Sequence, residues 1–522
     1  MKKRFGQDKY KHFFINDKNK KEVLKTFKDA CSLGIDFKLS KNTKPVLEYK
    51  DQKKIEKNFL KPIPKRGKPI EDVLKEFEKK IMCGSVNFSS PHFLAFPDCG
   101  NSIAAVTGHI LYGMLNQNLI NSVHTSPTAT FAEMEVIGWL RELVGYKVNR
   151  KPKSILDVGG ISVTGGTGAN TVGLMLAREN KFRGSINKGL QGKQSKLKAF
   201  IPKGIGHYSI KAGLGWIGIG TENVVEVETT SQFTIDQKDL VKKIKSEKKK
   251  GNTPFCLVAY TGDSRTMAID YLSDLSKIAK KNKLWFHVDA CHGLSLCFSD
   301  KLKEKVKGIA LADSVTIDPH KVLFTPYTLS FVLLKDPKKF KLISGVSDLI
   351  TSENYSFGQI TPLYGSRAFN SLKLWMLIKN LGKKNIGNLI EIRHEMVKVF
   401  SKIIRNEKDF YLLNEPTINS TVYLYIPQEL KLLLDNPKTM EKARKKINLL
   451  NKNIQFRIFK EGEFYVHTFL INDFKNVLNT GTANSFQVQR LMLGNPLTTV
   501  DDFEKLLRYT RKVGDQEWKK LA

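Results

Sequence analysis

Apolar positions along this chain change their period twice. Over residues 1–85, short apolar groups such as Val23, Leu24 and Phe27, then Val73, Leu74 and Phe77, punctuate charged stretches. The turn-rich run Lys61-Pro-Ile-Pro-Lys-Arg-Gly-Lys-Pro69 before the second group predicts a helix starting near Ile70. From about 86 to 370, β-rich apolar runs alternate with amphipathic stretches. Phe255-Cys-Leu-Val-Ala-Tyr260 reads as a strand. Tyr271 to Lys280 then sets Leu272, Leu275, Ile278 and Ala279 at helical spacing, and Leu284-Trp-Phe-His-Val288 reads as the next strand. Repeated βαβ units imply a mostly parallel sheet covered by helices. Leu372 to Phe400 is one long helical stretch, and 401–522 returns to mixed strands and helices. The expected class is α/β, with an N-terminal helical arm over 1–88, a large domain over 89–370 and a small C-terminal α+β domain over 371–522.

Composition narrows the choices without naming a function. The 522 residues are 41% apolar and 10% aromatic, enough for a large core and incompatible with a mainly disordered chain. No run approaches the roughly 18 apolar residues of a membrane-spanning helix. Charged residues follow Met1-Lys2-Lys3-Arg4-Phe5 where a signal peptide needs an apolar run. Six cysteines without CxxC pairing fit reduced thiols and a cytoplasmic location. The net charge of +35 could attract nucleic acid or anionic lipid, and residues 1–80 carry 24 basic against 12 acidic side chains. No zinc-finger spacing, RNP-like strand or basic region joined to heptads accompanies it. The excess is read as Lys-rich solvated surface, with neither nucleic acid nor membrane expected as a partner.

Four features within the α/β region carry chemistry. Val163-Thr-Gly-Gly-Thr-Gly-Ala-Asn-Thr171 is a small-residue loop before the helical run Val172 to Arg178, where backbone N–H groups could approach a phosphate. It matches neither the Walker nor the dinucleotide pattern. His287-Val-Asp-Ala-Cys-His-Gly293 puts Asp289 at the end of an apolar strand, where parallel sheets bind ligands. Ser314-Val-Thr-Ile-Asp-Pro-His-Lys321 brings Lys321 directly off another buried-looking strand. A lysine in a desolvated pocket has a depressed pKa and forms Schiff bases with carbonyls. The fourth feature is His207 in a glycine-rich segment. Singly, these read equally as a tight turn, an N-cap, a surface charge and a structural histidine. Together they supply what pyridoxal 5'-phosphate requires: a phosphate loop, a carboxylate for the ring nitrogen, an amine and a flat ring.

On these residues the sequence resembles the group II pyridoxal-phosphate-dependent amino-acid decarboxylases, a family that includes aromatic amino-acid, glutamate and histidine decarboxylases. Pro91-His-Phe-Leu-Ala-Phe-Pro97, Ser126-Pro-Thr-Ala-Thr-Phe-Ala-Glu-Met-Glu135, Gly365-Ser-Arg367, Asn370-Ser-Leu-Lys-Leu-Trp375 and Asn495-Pro-Leu-Thr-Thr499 extend the resemblance from about residue 91 to the C-terminus. It implies a type I PLP-dependent transferase fold with a mostly parallel seven-stranded sheet, in a homodimer whose N-terminal arm packs on the partner. By position, Lys321 would form the Schiff base, Asp289 would pair with the pyridinium and His207 would stack on the ring. Gly166 and Thr167 would hold the phosphate, with Ser264 and His320 also touching the cofactor.

Three departures qualify what the resemblance implies. Gly168 stands where many relatives have an acidic residue. Ser90-Pro91-His92 replaces the usual His-Pro and is expected to alter the pocket wall. Leu349 aligns with a loop tyrosine that in many relatives protonates the substrate carbon from across the dimer, while Tyr355, six residues later, is the candidate substitute. The expected activity is decarboxylation of an L-amino acid, aromatic slightly favoured over acidic. Aldehyde synthesis or carbon–carbon cleavage on the same fold, or an inactive binding protein, are the alternatives.

Overall fold

The computed structural model describes residues 7–39, 45–345, 354–360 and 365–521. Its centre is a seven-stranded mixed sheet of β1 (Gly160–Val163), β2 (Leu197–Pro202), β3 (Val224–Val227), β4 (Thr253–Tyr260), β5 (Trp285–Asp289), β6 (Ser314–Ile317) and β7 (Ser330–Leu334), in the order β1-β7-β6-β5-β4-β2-β3. The strands from β6 through β5, β4 and β2 to β3 pair in parallel, and β7 runs antiparallel to both β6 and β1. Strands β4 to β7 are buried along nearly their whole length. They read as continuous apolar runs because helices cover both faces of such a sheet.

A second, antiparallel sheet follows, formed by β8 (Phe410–Leu412), β9 (Ser420–Tyr425), β10 (His467–Asn472) and β11 (Ser485–Met492) in the order β10-β11-β9-β8. The helices Met440–Glu461 and Val500–Leu521 pack against it, and their buried Ile447, Leu450, Ile454, Phe503 and Leu506 complete a separate core. The long helix Leu372–Asn406 joins the two cores. Leu374, Leu377, Ile386 and Ile390 belong to the first, and Val397, Phe400 and Ile404 to the second. The helix is interrupted at Gly382 (φ 69°, ψ 163°), a left-handed conformation that glycine adopts at little cost.

The segment around Pro91–Pro97 is the seam between the two halves. Leu94 N donates to Tyr465 O (2.8 Å), Met492 N donates to Leu94 O (2.8 Å), and Thr498 Oγ1 donates to Pro91 O (2.9 Å). His92 turns away from the large sheet: its ring stacks on Phe464 and its Nε2 lies 3.1 Å from Asp502 Oδ1. The small-residue stretch after β1 is not the expected loop. Helix begins at Gly165, directly after β1, so the stretch expected to be a loop through Thr171 is helical. Low helix propensity is overridden there by tertiary packing, because Gly173 lets the helix Gly165–Lys181 lie against His287, whose Cε1 would be 2.6 Å from a Cβ at that position.

A buried ion pair holds the near edge of the large sheet. Arg367 and Glu133 meet at 2.5 Å, with side chains 5% and 0% exposed. Glu133 also accepts from Ser162 Oγ (2.9 Å) on β1 and Ser371 Oγ (2.8 Å) ahead of the long helix. Arg367→Met should leave that carboxylate buried without its cation and cost about 3–5 kcal/mol, read as an earlier unfolding midpoint in urea.

Candidate active site

The carboxyl ends of β4, β5 and β6, the start of the helix Gly165–Lys181 and the turn before the helix Tyr208–Trp216 converge on one cavity of about 240 Å³. Gly166, Thr167, His207, Ser264, Asp289, His320 and Lys321 all line it, so seven residues separated along the sequence share one space. Tyr355 stands apart: its Oη donates to Pro152 O (3.0 Å) and its ring packs on Phe131. Leu349 lies outside the described residues. His92 is not among the lining residues, so the expected change to the pocket wall is not made by its side chain.

One side of the cavity is organised by a directed hydrogen-bond chain, whose sense follows from groups that can only donate. The Trp285 indole N–H donates to Ser314 Oγ (2.7 Å), so the Ser314 hydroxyl proton is free to go to His287 Nδ1 (2.7 Å). His287 Nε2–H then donates to Asn170 Oδ1 (3.0 Å), which also accepts from Thr316 Oγ1 (3.0 Å). The Asn170 amide nitrogen gives one proton to Asp289 Oδ2 (2.8 Å) and the other to Ser209 Oγ (2.9 Å). Ser209 therefore donates to His207 Nδ1 (2.7 Å), and its backbone N–H does the same (3.2 Å). With Nδ1 an acceptor, the His207 proton resides on Nε2. Burial lowers the pKa of His207 and pushes His287 down to about 4, so both imidazoles are neutral at pH 7, as the chain requires. Asp289 Oδ1 accepts from Cys291 N (3.1 Å).

The other side of the cavity is built for an anion. Thr164 caps the helix Gly165–Lys181 with no side-chain hydrogen bond, which leaves its first-turn N–H groups available. At Gly166 a Cβ would come within 2.5 Å of Asp318 Oδ2, so only glycine fits. His320 Nδ1 is 2.8 Å from Leu329 O, which leaves Nε2 for the cavity. A phosphate bound here would meet backbone donors, and an aldehyde would meet Lys321.

Lys321 corrects one expectation. Burial alone would lower its pKa, but the neighbouring acidic groups, first among them the Asp318 carboxylate 2.7 Å from Nζ, together outweigh burial and the net direction is upward. Sequence reasoning also missed Asn170, His287 and Arg490. The buried asparagine was visible inside the small-residue motif. An arginine in the apolar run Val488-Gln-Arg490-Leu-Met492 was the corresponding signal on β11. Arg490 donates to Ala95 O (2.7 Å) and to Ser264 O, tying the seam to the cavity wall, and its Nε has no hydrogen-bond partner among the described residues.

Comparison with known proteins agrees with this chemistry. The pyridoxal-dependent decarboxylase conserved domain matches residues 53–426. An L-2,4-diaminobutyrate decarboxylase of Acinetobacter baumannii is 26% identical over 459 residues, covering 85% of this chain and 84% of that one. An aromatic-L-amino-acid decarboxylase of Bacillus atrophaeus is 25% identical over 501 residues, covering 93% and 94%. In structure, mouse CSAD superposes with a TM-score of 0.85 at 23% identity, over 95% of this chain and 99% of that one, which establishes the shared fold. The chain belongs to the pyridoxal-dependent decarboxylase family. It is a PLP-dependent carboxy-lyase, and pyridoxal 5'-phosphate is its cofactor.

Asn170→Ala removes donors from both Asp289 and Ser209. A buried group deprived of its partner costs about 1–3 kcal/mol, so cofactor affinity should fall about tenfold or more, measured by equilibrium dialysis of pyridoxal phosphate.

Proposed function

We propose that the chain removes the carboxylate of an L-amino acid as carbon dioxide and returns a proton to the same carbon, with Lys321 as the covalent anchor. Asp289 would pair with the ring nitrogen of the cofactor and His207 would stack on its ring. Gly166 and Thr167 would hold its phosphate, and Ser264 and His320, which line the same cavity, would also touch it. The observation that carries this reading is the directed chain through Asn170, which supplies a carboxylate acceptor at Asp289 and an N–H donor at His207 in the cavity that Lys321 lines. Bound pyridoxal phosphate supplies an electron sink that works while its ring nitrogen is protonated. Asp289 suits that task because its hydrogen-bond partners are neutral, so its negative charge is available to hold a proton on an opposing nitrogen. The neutral tautomer of His207 presents Nε2–H to the cavity without adding a cation.

An aromatic L-amino acid is the substrate class we favour. The Phe93, Phe96 and Tyr465 rings pack together in the seam, which Arg490 links to the cavity wall at Ser264. An acidic side chain is the second reading, supported by the same Arg490, a buried cation with an unpartnered Nε. Mass-spectrometric product analysis with a panel of L-amino acids in air separates the outcomes. The expected product is the amine of an aromatic substrate, absent with Lys321→Ala, which should also lose borohydride-trapped cofactor. An aldehyde without its amine would move the reading to aldehyde synthesis, and trapping that survives in Lys321→Ala would overturn the anchor.

The reading includes a second copy of the chain. The helix Lys20–Leu39 buries none of its residues, with Leu24, Phe27, Ile35 and Leu39 exposed. On the helix Ile103–Leu115, Ile103, Leu111, Met114 and Leu115 are exposed as well. Apolar surface of this extent marks an interaction site, and Tyr355 would reach a cavity only from such a partner. Sedimentation equilibrium should return twice the chain mass, and Leu111→Lys with Leu115→Lys should shift it toward the single chain.

A further inference from the structure

Asp318 has no part in the reading above, yet its Oδ2 lies 2.7 Å from Lys321 Nζ. Its position is fixed from three sides. β6 ends at Ile317 and passes directly into the single turn Pro319–Val322, so Asp318 and Lys321 sit one turn apart, with Lys321 N donating to Asp318 O (3.0 Å). Ser330 Oγ on β7 donates to Oδ1. The bare Gly166 backbone fills the space beside Oδ2. Both side chains line the cavity, the carboxylate fully buried and the lysine side chain 23% exposed.

We infer that Asp318 is a positioning residue that fixes the protonation state of Lys321 Nζ: it holds the free side chain as an ammonium, and it retains a proton on that nitrogen once it is joined to the aldehyde carbon of the cofactor. The inference rests on Lys321 being the anchor proposed above. The balance of the step explains why one carboxylate serves both states. An ammonium and an aldehyde give a protonated imine and one water. Two of the three nitrogen protons leave with the aldehyde oxygen as water, the third stays, and the nitrogen carries one positive charge before and after. The same negative partner compensates both. What it opposes is the neutral amine through which the addition must pass. Asp318 therefore slows covalent capture at neutral pH and then protects the protonated link, the form a substrate amine attacks.

Other groups around Nζ do not supply this function. Asp289 and Cys291 approach from β5 and the turn after it, and both raise the lysine less than Asp318 does. Burial keeps His207 and His292 neutral at pH 7, and it raises the pKa values of Asp98 and Tyr327. His320, next in sequence, directs Nδ1 to Leu329 O. Asp318 itself, despite complete burial, is held well below the ordinary carboxylate range by Lys321 and His320, so it is the ionised partner.

The test is Asp318→Asn, near in shape and lacking the charge, with Asp318→Glu as the variant that retains it. Competitive acetylation of the cofactor-free chain, read by peptide mass spectrometry, should show Lys321 of Asp318→Asn labelling about tenfold faster or more at neutral pH, the equivalent of one pKa unit. Asp318→Glu should label like the wild type. In the loaded protein, the visible absorption of the lysine–cofactor link should titrate at least about one pH unit lower in Asp318→Asn. Labelling and titration equal to wild type would overturn the inference. If Asp318→Asn melts early, Asp318→Ser is read the same way. A wild-type chain that takes up no pyridoxal phosphate would refute the anchor, while the acetylation contrast would still decide the Asp318 pair.

Discussion

The amide of Asn170 is the constraint on which the site depends. It is the group in the directed chain that gives protons to two acceptors at once, and those acceptors lead to Asp289 on one side and to His207 on the other. Rotating the amide would set its nitrogen against two donors, His287 Nε2–H and Thr316 Oγ–H, and its oxygen against a carboxylate. Its orientation is thus fixed by the strands beneath it, and the tautomer of His207 follows. Burial raises the stakes: in a low-dielectric interior a satisfied chain is rigid and a single missing donor is costly. The close approach at Gly173 is part of the same arrangement, because it brings this helix down onto His287.

The second dependence is between the two sheets. The cavity sits on the large sheet, but Arg490, from the small sheet, donates to the carbonyl of Ser264 at its wall and to Ala95 in the seam. Asn495 reaches Ser89 O (2.7 Å) and Thr498 reaches Pro91 O (2.9 Å), so the C-terminal motif and the segment before residue 97 are one structural unit. A displacement of the small sheet would be felt at the cavity wall through these bonds.

Much of this was legible in the sequence where polar residues end apolar runs. Asp289 and Lys321 stand out because strands β5 and β6 are continuous apolar runs that stop at chemistry. The βαβ unit over residues 253–289 follows from period alone, and the sheet order places both residues at adjacent strand ends. The boundary of the helix at Gly165 was not legible, because glycine and threonine argue for a loop until the packing against β5 is known. Nor was the direction of His92, since its stacking on Phe464 is a contact across hundreds of residues. The sign of the Lys321 shift failed for a similar reason. Desolvation can be guessed from an apolar run, but the distance to a carboxylate three residues earlier depends on the turn that follows β6.

The cavity thus contains two carboxylates a strand apart, held in opposite ways. Asp289 is bound by neutral donors, the Asn170 amide and the Cys291 backbone N–H, which stabilise its charge without cancelling it. Asp318 is bound by an ammonium, which does cancel it. Lys321 takes Asp318 as its ion-pair partner, while the hydrogen bonds to Asp289 come from neutral groups. The spacing of Asp318 and Lys321 along one turn therefore decides which of the two carboxylates takes the cation: the lysine that lines the cavity pairs at 2.7 Å with Asp318 and leaves the hydrogen bonds of Asp289 to neutral donors.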